Sequence, residues 1–202
     1  MSVLLAILAA GESQRMGRPK LCLPWGRSTI LGHILDQWRA AGARSLVVVH
    51  APGENPVARE LDRLGVSPTE RAATVAPERG MMGSVVTAAR LALRDPFPTH
   101  LVVALGDQPQ LRAETLRELL VACETAPGKL VRMLFEGKPG HPLALPVSVL
   151  ADLSTTSSET LRDFLRLKEM PVCDLTSGDS GVLLDLDTPD DYARACHSAD
   201  DL

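Results

Sequence analysis

Aromatic residues are scarce in this sequence of 202 residues, in which three Phe, two Trp and one Tyr make up 3% of the chain. Proteins that bind single-stranded nucleic acid stack the bases on aromatic side chains, and proteins that bind duplexes carry strongly basic surfaces. The net charge here is −4. Both features argue against nucleic-acid binding. Neither excludes a small anionic ligand, which needs only a few local Lys or Arg side chains.

Clustered cysteines are also lacking, because the four that occur are widely spaced and form no CxxC pair: Cys22, Cys123, Cys173 and Cys196. Zinc sites need clustered ligands, and disulfide frameworks are typical of shorter secreted chains. We therefore interpret all four cysteines as reduced, mostly structural thiols.

No apolar stretch of the sequence is long enough to span a bilayer. The first one, Val3 to Ala10, lacks a basic segment before it and leads directly into a polar loop that contains glycine. These features favour a buried strand over a secretory signal peptide. We therefore expect a cytoplasmic protein without a membrane partner.

Short apolar runs alternate with helical patterns, which predicts an α/β fold of one domain over residues 1–202. The predicted strands are Val3–Leu8, Leu46–Val49, Thr74–Val75, Leu101–Leu105, Leu130–Phe135, Leu143–Val147 and Val182–Leu184. The predicted helices run from Ser28 or Thr29 to Gly42, from Pro56 to Leu64, from Gly83 to Arg94 with a stop at Asp95–Pro96, from Ala113 to Glu124 and from Pro189 to Cys196. This alternation predicts a predominantly parallel sheet whose ligands bind beyond the carboxyl ends of its strands.

The loop after the first strand carries Arg15, Arg18 and Lys20 among glycine residues. Backbone N–H groups and cations of this kind suit a polyphosphate, which offers several anionic oxygens. A Walker A motif is excluded, since Gly11 and Gly17 lie one residue too far apart, and a GxGxxG fingerprint is absent. An ordinary surface loop with solvated charges is the alternative that these residues alone leave open.

Two acidic turns are candidates for a Mg²⁺ site. Asp107 follows a predicted strand and so lies at the same edge of the sheet as the cationic loop. Asp187 precedes the last predicted helix, and alternation along an extended segment places Asp185 on the same side. Mg²⁺ favours carboxylate oxygens and needs only one or two protein ligands. Capping of a turn by Asp107, or of the helix by Asp187 or Thr188, is the structural alternative.

Two further segments are candidates for substrate contacts. Gly83 and Ser84 lie at the start of a predicted helix, whose free N–H groups can receive an anion or a base edge. An N-cap at Ser84 is the structural alternative. His141 in a Gly-His-Pro turn is a weaker candidate, because solvated histidines are common.

The string from Leu8 to Lys20 resembles the LAAGxSxRMGxxK signature of the MobA-like NTP transferases, and within this family it is most similar to the molybdenum-cofactor cytidylyltransferases. The turns at Asp107 and Asp187 resemble the family motifs GDxP and D[IL]DTP[ED], in the same order. The resemblance implies a three-layer α/β/α, Rossmann-like nucleotide-diphospho-sugar transferase fold of the GT-A type. Within it we expect a nucleotide-binding half at about residues 1–110 and an acceptor-binding half at about 111–202.

The resemblance also implies roles for particular residues. The implied nucleotide-binding set is Leu8, Ala9, Ala10, Gly11, Arg15, Lys20, Gly83, Ser84 and Asp107. Within it Arg15 and Lys20 hold the triphosphate and, with Asp107, form the catalytic set. Asp107 and Asp187 are implied metal ligands, and His141 faces the acceptor. The role of Asp185 stays open.

The reaction that the resemblance implies is the transfer of CMP from CTP to molybdopterin or the molybdenum cofactor, with Mg²⁺ as cofactor and pyrophosphate as product. Cytidylyltransferases of the group carry Leu-Ala-Ala-Gly, as at Leu8 to Gly11, where guanylyltransferases carry Leu-Ala-Gly-Gly. A molybdoenzyme or its chaperone is the implied protein partner.

The resemblance fails in one place. The cytidylyltransferases carry a Gly-Asp-x-Gly segment in the C-terminal half, and this chain has Ser154-Thr155-Thr156-Ser157-Ser158-Glu159 in that region. A pterin acceptor is therefore not fixed by the motifs. A sugar-1-phosphate nucleotidyltransferase and a non-catalytic, nucleotide-binding delivery protein are the two alternatives, and the latter would need no metal carboxylates.

Overall fold

Strands and helices alternate along residues 3–94 and 98–199, which a computed structural model describes, with residues 197–199 described by their backbone alone. The strands are β1 (Val3–Ala9), β2 (Pro24–Trp25), β3 (Ser28–Thr29), β4 (Leu46–His50), β5 (Arg71–Ala73), β6 (His100–Leu105), β7 (Leu130–Phe135), β8 (Lys138–Pro146) and β9 (Val172–Thr176). The helices are α1 (Ile30–Ala41), α2 (Pro56–Arg63), α3 (Met81–Ala92), α4 (Ala113–Thr125), α5 (Leu150–Thr155), α6 (Leu161–Arg166) and α7 (Pro189–Ala199). The predicted helix stop at Asp95–Pro96 lies outside the described residues.

The central sheet has seven strands in the order β5-β4-β1-β6-β8-β7-β9. β1 pairs in parallel with both β4 and β6, β4 pairs in parallel with β5, and β7 pairs in parallel with β9. β8 runs antiparallel to its neighbours β6 and β7. The prediction of an α/β fold with a predominantly parallel sheet is confirmed, with β6 at the centre of the sheet and β1 directly beside it.

Helices cover both faces of this sheet, and the alternation of side chains along β1 shows it. Leu5 and Ile7 belong to one buried cluster, which also contains residues of α1 and α4. Leu4 and Ala6 belong to a second buried cluster, which contains residues of α3 and α5. Because successive side chains of a strand point to opposite faces, a strand covered on both sides is apolar throughout. The predicted three-layer α/β/α architecture is therefore confirmed.

The prediction of a last strand at Val182–Leu184 is wrong. The segment forms a 3₁₀ turn, Ser180–Leu183, because the carboxylate of Asp179 accepts the N–H group of Gly181 at 2.9 Å and folds the chain back locally. The strand beside β7 is instead β9, which the sequence analysis missed. β9 lies at the edge of the sheet, and its residues are exposed or half-buried, so its apolar signal is weak.

Smaller differences concern element boundaries. β5 ends at Ala73, just before the predicted strand at Thr74–Val75, and α3 begins at Met81 rather than at Gly83. Two short helices of the C-terminal half, α5 and α6, were not predicted. Within the described residues, no helix has the length and apolar character needed to cross a membrane.

Candidate functional site

The loop after β1 is built around Ser13. The backbone of Ser13 adopts a left-handed conformation with φ 53°, and its carbonyl accepts the N–H groups of Met16 and Gly17. Its hydroxyl accepts the N–H group of Lys20 at 3.1 Å. The side chain of Met16 is buried in the core beneath the loop. These contacts fold the loop back over the end of β1 and fix the backbone of Lys20 at the carboxyl edge of the sheet.

Gly106 allows the turn after β6 to lie directly against β1. Its N–H group donates to the carbonyl of Leu8 at 3.0 Å, and a Cβ atom at this position would stand 2.8 Å from the same oxygen. The close approach places Asp107 beside the loop after β1. The N–H group of Leu186 donates to the carbonyl of Asp107 at 3.2 Å, so the second acidic turn joins the first.

Thr188 caps the N-terminus of α7, as one of the structural alternatives predicted. Its hydroxyl accepts the N–H group of Asp191 at 3.2 Å, and the carboxylate of Asp191 accepts the N–H group of Thr188 at 2.9 Å. This reciprocal arrangement is a capping box. Asp187 is therefore not needed as the cap, and its side chain turns to the cationic loop.

The cations of the loop and the two predicted metal carboxylates meet in one cluster. Lys20 Nζ lies 2.5 Å from Asp107 Oδ2 and 3.1 Å from Asp187 Oδ1, and Arg15 Nη1 lies 3.1 Å from Asp187 Oδ2. The side chains of Lys20 and Asp107 are 13% and 17% exposed, whereas that of Arg15 is 77% exposed. Burial acts to lower the pKa of Lys20, but the charges and hydrogen bonds of the two carboxylates outweigh it and raise the pKa above its ordinary value. Lys20 is therefore held as an ammonium ion.

Asp185 lies beside this cluster and is held by Gln108. The buried amide of Gln108 donates from Nε2 to Asp185 Oδ1 at 3.1 Å. Burial of the Asp185 carboxylate, together with the negative charges of Asp107 and Asp187, raises its pKa to about 6. Three carboxylates therefore share one small region of the sheet edge, and their mutual repulsion favours a cation there.

A cleft of ≈ 420 Å³ opens at this edge of the sheet. Its lining includes the predicted residues Leu8, Ala9, Ala10, Gly11, Lys20, Ser84, Asp107 and Asp187, and also Glu12, Ser13, Gln14, Leu21, Pro77, Gly80, Met81, Leu105 and Gly106. Most of the predicted set is thus brought together from four segments distant in sequence. Arg15, Gly83 and His141 lie outside the lining, although Arg15 contacts it through Asp187.

Gly83 shapes the wall of the cleft from behind. A Cβ atom at Gly83 would stand 1.9 Å from the carbonyl oxygen of Ala76, so the segment that carries Pro77 and Gly80 packs directly on α3. Ser84 lies inside α3, whose N-cap is Gly80, so the alternative that Ser84 is a helix cap is wrong. The helix begins earlier than predicted, which leaves the side chain of Ser84 at the cleft.

His141 lies near Asp107 of the carboxylate cluster and is half-buried. Burial lowers its pKa, against the opposing effects of a hydrogen bond with the carbonyl of Val103 and of the Asp107 charge. Nδ1 of its ring is buried and, among the described residues, has no hydrogen-bond partner. A Cβ atom at the preceding Gly140 would stand 2.0 Å from the carbonyl oxygen of Val182, so this strand packs tightly on the 3₁₀ turn.

Sequence reasoning missed three residues of this region. Ser13 and Gln108 occur within the two recognised motifs, but their hydrogen bonds to Lys20 and Asp185 follow from the folded geometry. A Gly-Asp-x-Gly run does occur in the C-terminal half, at Gly178–Gly181, later in the chain than the Ser154–Glu159 segment where the resemblance places it. Its Asp179 is buried and accepts the Arg112 N–H group and the Thr115 hydroxyl at the start of α4, so it supports the fold.

The donor set of the cluster fits a divalent ion of the Mg²⁺ type. Oxygens of Asp107 and Asp187 converge on one cation, the ammonium of Lys20, and carboxylate oxygens are the ligands that Mg²⁺ prefers. In residues 3–94 and 98–196, whose side chains are described, no group of three or more His, Cys, Asp or Glu side chains is arranged to hold a metal. A metal held here therefore needs further oxygen ligands from water or a substrate.

A cationic loop and a pair of carboxylates thus lie together at one edge of a predominantly parallel sheet. The chain belongs to the MobA-like NTP transferase family, whose domain matches residues 5–172. It is 28% identical over 200 residues to a molybdenum cofactor guanylyltransferase of Rhizobium johnstonii, covering 94% of this chain and 89% of that protein. It is 24% identical over 190 residues to the molybdenum cofactor cytidylyltransferase of Escherichia coli, covering 94% and 93%.

A bifunctional protein GlmU of Azorhizobium caulinodans is 39% identical over 120 residues, which are 58% of this chain and 26% of that protein. The chain thus spans about a quarter of the length of this relative.

Solved structures with the same fold include Rv0371c of Mycobacterium tuberculosis, which superposes with a TM-score of 0.76 at 30% identity over 98% of both chains. A second structure of that protein, described as a complex with manganese, superposes with a TM-score of 0.72 at 28% identity, covering 98% of this chain and 100% of that one. The likeness over nearly the whole chain agrees with the α/β/α architecture described above.

Proposed function

We propose that the protein transfers CMP from CTP to a phosphorylated acceptor, molybdopterin or the molybdenum cofactor, and releases pyrophosphate. One observation carries the proposal: Lys20 of the cationic loop and the carboxylates of Asp107 and Asp187 face the same cleft. A triphosphate and its metal need these two kinds of group close together. A solvated surface loop would not fold its lysine onto two distant carboxylates.

The chemistry is an in-line displacement. A phosphate oxygen of the acceptor attacks the α-phosphorus of the nucleotide, and the bond from this phosphorus to the oxygen bridging to the β-phosphate breaks. Catalysis by the chain consists of positioning and charge neutralisation. Lys20 and Arg15 donate to phosphate oxygens and offset the negative charge on the departing pyrophosphate. Backbone N–H groups of the loop after β1, which begins at Ala10, bind the remaining phosphate oxygens of the nucleotide.

Asp107 and Asp187 are the residues that we assign to hold a divalent ion, Mg²⁺ in our proposal. When bound, this ion neutralises phosphate charge and aligns the reacting oxygens. Asp185 lies beside the two assigned ligands and accepts a hydrogen bond from Gln108. Its role in metal binding stays open. The cofactor proposal is supported by the oxygen-only donor set and by the manganese complex of the similar mycobacterial protein.

The base is proposed to lie against the Leu8–Gly11 segment and Ser84, which line the cleft. The Leu-Ala-Ala-Gly sequence supports cytosine. The relatives are named for both bases, a guanylyltransferase at 28% identity and a cytidylyltransferase at 24% identity. His141 on β8, whose imidazole is influenced by the charge of Asp107, is our candidate for acceptor contact. A molybdoenzyme or its chaperone is the proposed recipient of the product.

The test is a pyrophosphate-release screen in which four NTPs are combined with a panel of acceptors, with Mg²⁺ and with excess chelator. We expect release with CTP and the molybdopterin acceptor, dependent on the divalent ion. Release with GTP in place of CTP would overturn the base assignment alone. Release with a hexose 1-phosphate as the acceptor would overturn the acceptor assignment and support the sugar-1-phosphate alternative. Binding of nucleotide without release from any pair would support the non-catalytic alternative.

A further inference from the structure

We infer that Lys20 is a positioning residue that occupies the place of the metal until the nucleotide arrives, so that the metal binds well only together with the nucleotide. The inference rests on the proposed function, in which Asp107 and Asp187 hold a divalent ion. Its basis is that Lys20 Nζ lies within 3.1 Å of an oxygen of each carboxylate.

The ammonium of Lys20 is held firmly in this position. Its backbone N–H group donates to the hydroxyl of Ser13, and its side chain is 13% exposed. The ion pair with Asp107, at 2.5 Å, is the shortest contact of the cluster. Partly buried charges of this kind are poorly screened by solvent. The ammonium therefore keeps the two carboxylates together, and a metal that binds there must displace it.

Displacement is costly unless the ammonium finds a new anionic partner. Without a nucleotide, moving Lys20 away leaves a partly buried cation without its charge-assisted hydrogen bonds. The triphosphate supplies new acceptor oxygens at the same edge of the sheet and further oxygen ligands for the metal. Nucleotide and metal therefore favour each other's binding, and this coupling is reciprocal by thermodynamic necessity. Among the described residues Arg15 pairs with Asp187 but not with Asp107, and it is 77% exposed, so it competes much less.

The test measures binding of Mn²⁺ by the intact protein from the electron paramagnetic resonance signal of the free ion, without acceptor and with or without CTP or GTP. Lys20→Met removes the competing charge, and we expect it to bind Mn²⁺ about tenfold more tightly than wild type without nucleotide. Lys138→Met makes the same charge change at an exposed site on β8 and should match wild type. Adding Asp107→Asn to Lys20→Met should abolish the gain.

The inference is overturned if Lys20→Met binds Mn²⁺ no more tightly than Lys138→Met, or if the gain survives Asp107→Asn. Lys20→Gln is the second variant, to be used if thermal melting shows that the methionine variant is unfolded. Nucleotide should tighten Mn²⁺ binding more in wild type than in Lys20→Met, because only wild type has an ammonium to release. Pyrophosphate release by wild type tests the proposed function separately. If wild type is active but Lys20→Met does not bind Mn²⁺ more tightly, this inference is wrong and the proposed function stands.

Discussion

Lys20 and Asp107 are joined across 87 positions of sequence by a hydrogen bond of 2.5 Å between Nζ and Oδ2. The contact connects the loop after β1 to the turn after β6, and it exists because these parallel neighbours end at the same edge of the sheet. Asp187 reaches the same ammonium from a third segment. The site is thus a product of the topology, and its parts can be tested one by one.

Replacement of Asp107 by Asn should abolish turnover without unfolding the protein. The amide cannot supply the carboxylate charge that a divalent ion needs, but it can still accept a hydrogen bond from Lys20. We expect a stability loss of roughly 1 kcal/mol. Steady-state kinetics and thermal melting on the same sample measure both effects.

The matched control for this variant is Asp174→Asn on β9, where Asp174 pairs with Arg132 on the neighbouring strand, outside the cleft lining. It makes the same charge change and should keep wild-type turnover. Near-normal activity of Asp107→Asn at saturating Mg²⁺ would end the metal assignment.

Gly83→Ala should distort the wall of the cleft that packs against α3. The new methyl group would stand 1.9 Å from the Ala76 carbonyl oxygen, so the segment with Pro77 and Gly80 must move away from α3. Overpacking of this kind costs roughly 1–3 kcal/mol, and we expect the melting temperature and nucleotide affinity to fall together. Differential scanning fluorimetry with and without nucleotide measures both.

Gly11→Ala is the companion variant, because a Cβ atom at Gly11 would meet nothing within 4 Å although the residue lines the cleft. Its stability should stay within about 0.5 kcal/mol of wild type, while nucleotide affinity falls because the methyl group narrows the cleft. Equal stability for the two alanine variants would contradict the packing described for Gly83.

Stability should fall as the pH drops below neutrality, partly because of His100. This side chain is fully buried in β6, with Nε2 hydrogen-bonded to the carbonyl of Lys129 and Nδ1 to the hydroxyl of Thr99. Burial lowers its pKa, against the effect of the Lys129 carbonyl. The unfolded chain therefore binds a proton at a higher pH than the folded chain does. The stabilisation is present above the unfolded pKa of ~6.5 and is lost progressively as the pH falls from there towards the lower pKa of the folded state.

The measurement is the free energy of unfolding by urea at pH 7 and at pH 5.5, for wild type and for His100→Gln. Glutamine can still donate to the Lys129 carbonyl but does not titrate. We expect wild type to lose about 1 kcal/mol more than the variant over this interval. The same loss in both proteins would show that His100 does not contribute, and would leave the effect to His33 and His141, whose pKa values burial also lowers.

The centre of the fold could be predicted because its signals are local. β1 is apolar at every position, and β6 ends in a Gly-Asp turn, so the rule for parallel sheets placed the loop and Asp107 together before any contact was known. The segment around Val182 could not be predicted, since its turn depends on Asp179, whose other partners lie on α4. An apolar run alone does not distinguish a strand from a packed turn.

The sequence predicted most of the residues that line the cleft, but it did not predict which of them form ion pairs with each other. Lys20 was assigned to the triphosphate, and its ion pairs with Asp107 and Asp187 span 87 and 167 positions of sequence, which no spacing rule encodes. Arg15, Gly83 and His141 were predicted to contact substrate but do not line the cleft. Spacing could not show this either, because the direction of a side chain depends on tertiary packing. The assigned roles of these residues stay predictions.

Arg15 and Lys20 should contribute to nucleotide use through a shared set of charges. Arg15→Ala should lower kcat/KM by at least about tenfold, since a charge-assisted contact contributes roughly 1.5–3 kcal/mol. It should leave stability nearly unchanged, because the Arg15–Asp187 pair is exposed and such pairs contribute little. Lys20→Ala should lower kcat/KM similarly but cost more stability, because its pair with Asp107 is partly buried.

The double variant decides whether the two cations act on one polyanion. Both contact Asp187 in the free protein and both are expected to grip the same phosphates, so their effects should fall short of additivity, by roughly 0.5 kcal/mol or more. Steady-state kinetics with CTP and acceptor on wild type, both single variants and the double variant complete the cycle. Arg59→Ala, which removes an exposed cation on α2 paired with Glu54, is the control and should leave kcat/KM unchanged. If both single variants kept wild-type kcat/KM, the loop would be ordinary surface, and the proposed binding of the triphosphate by Lys20 and Arg15 would be wrong.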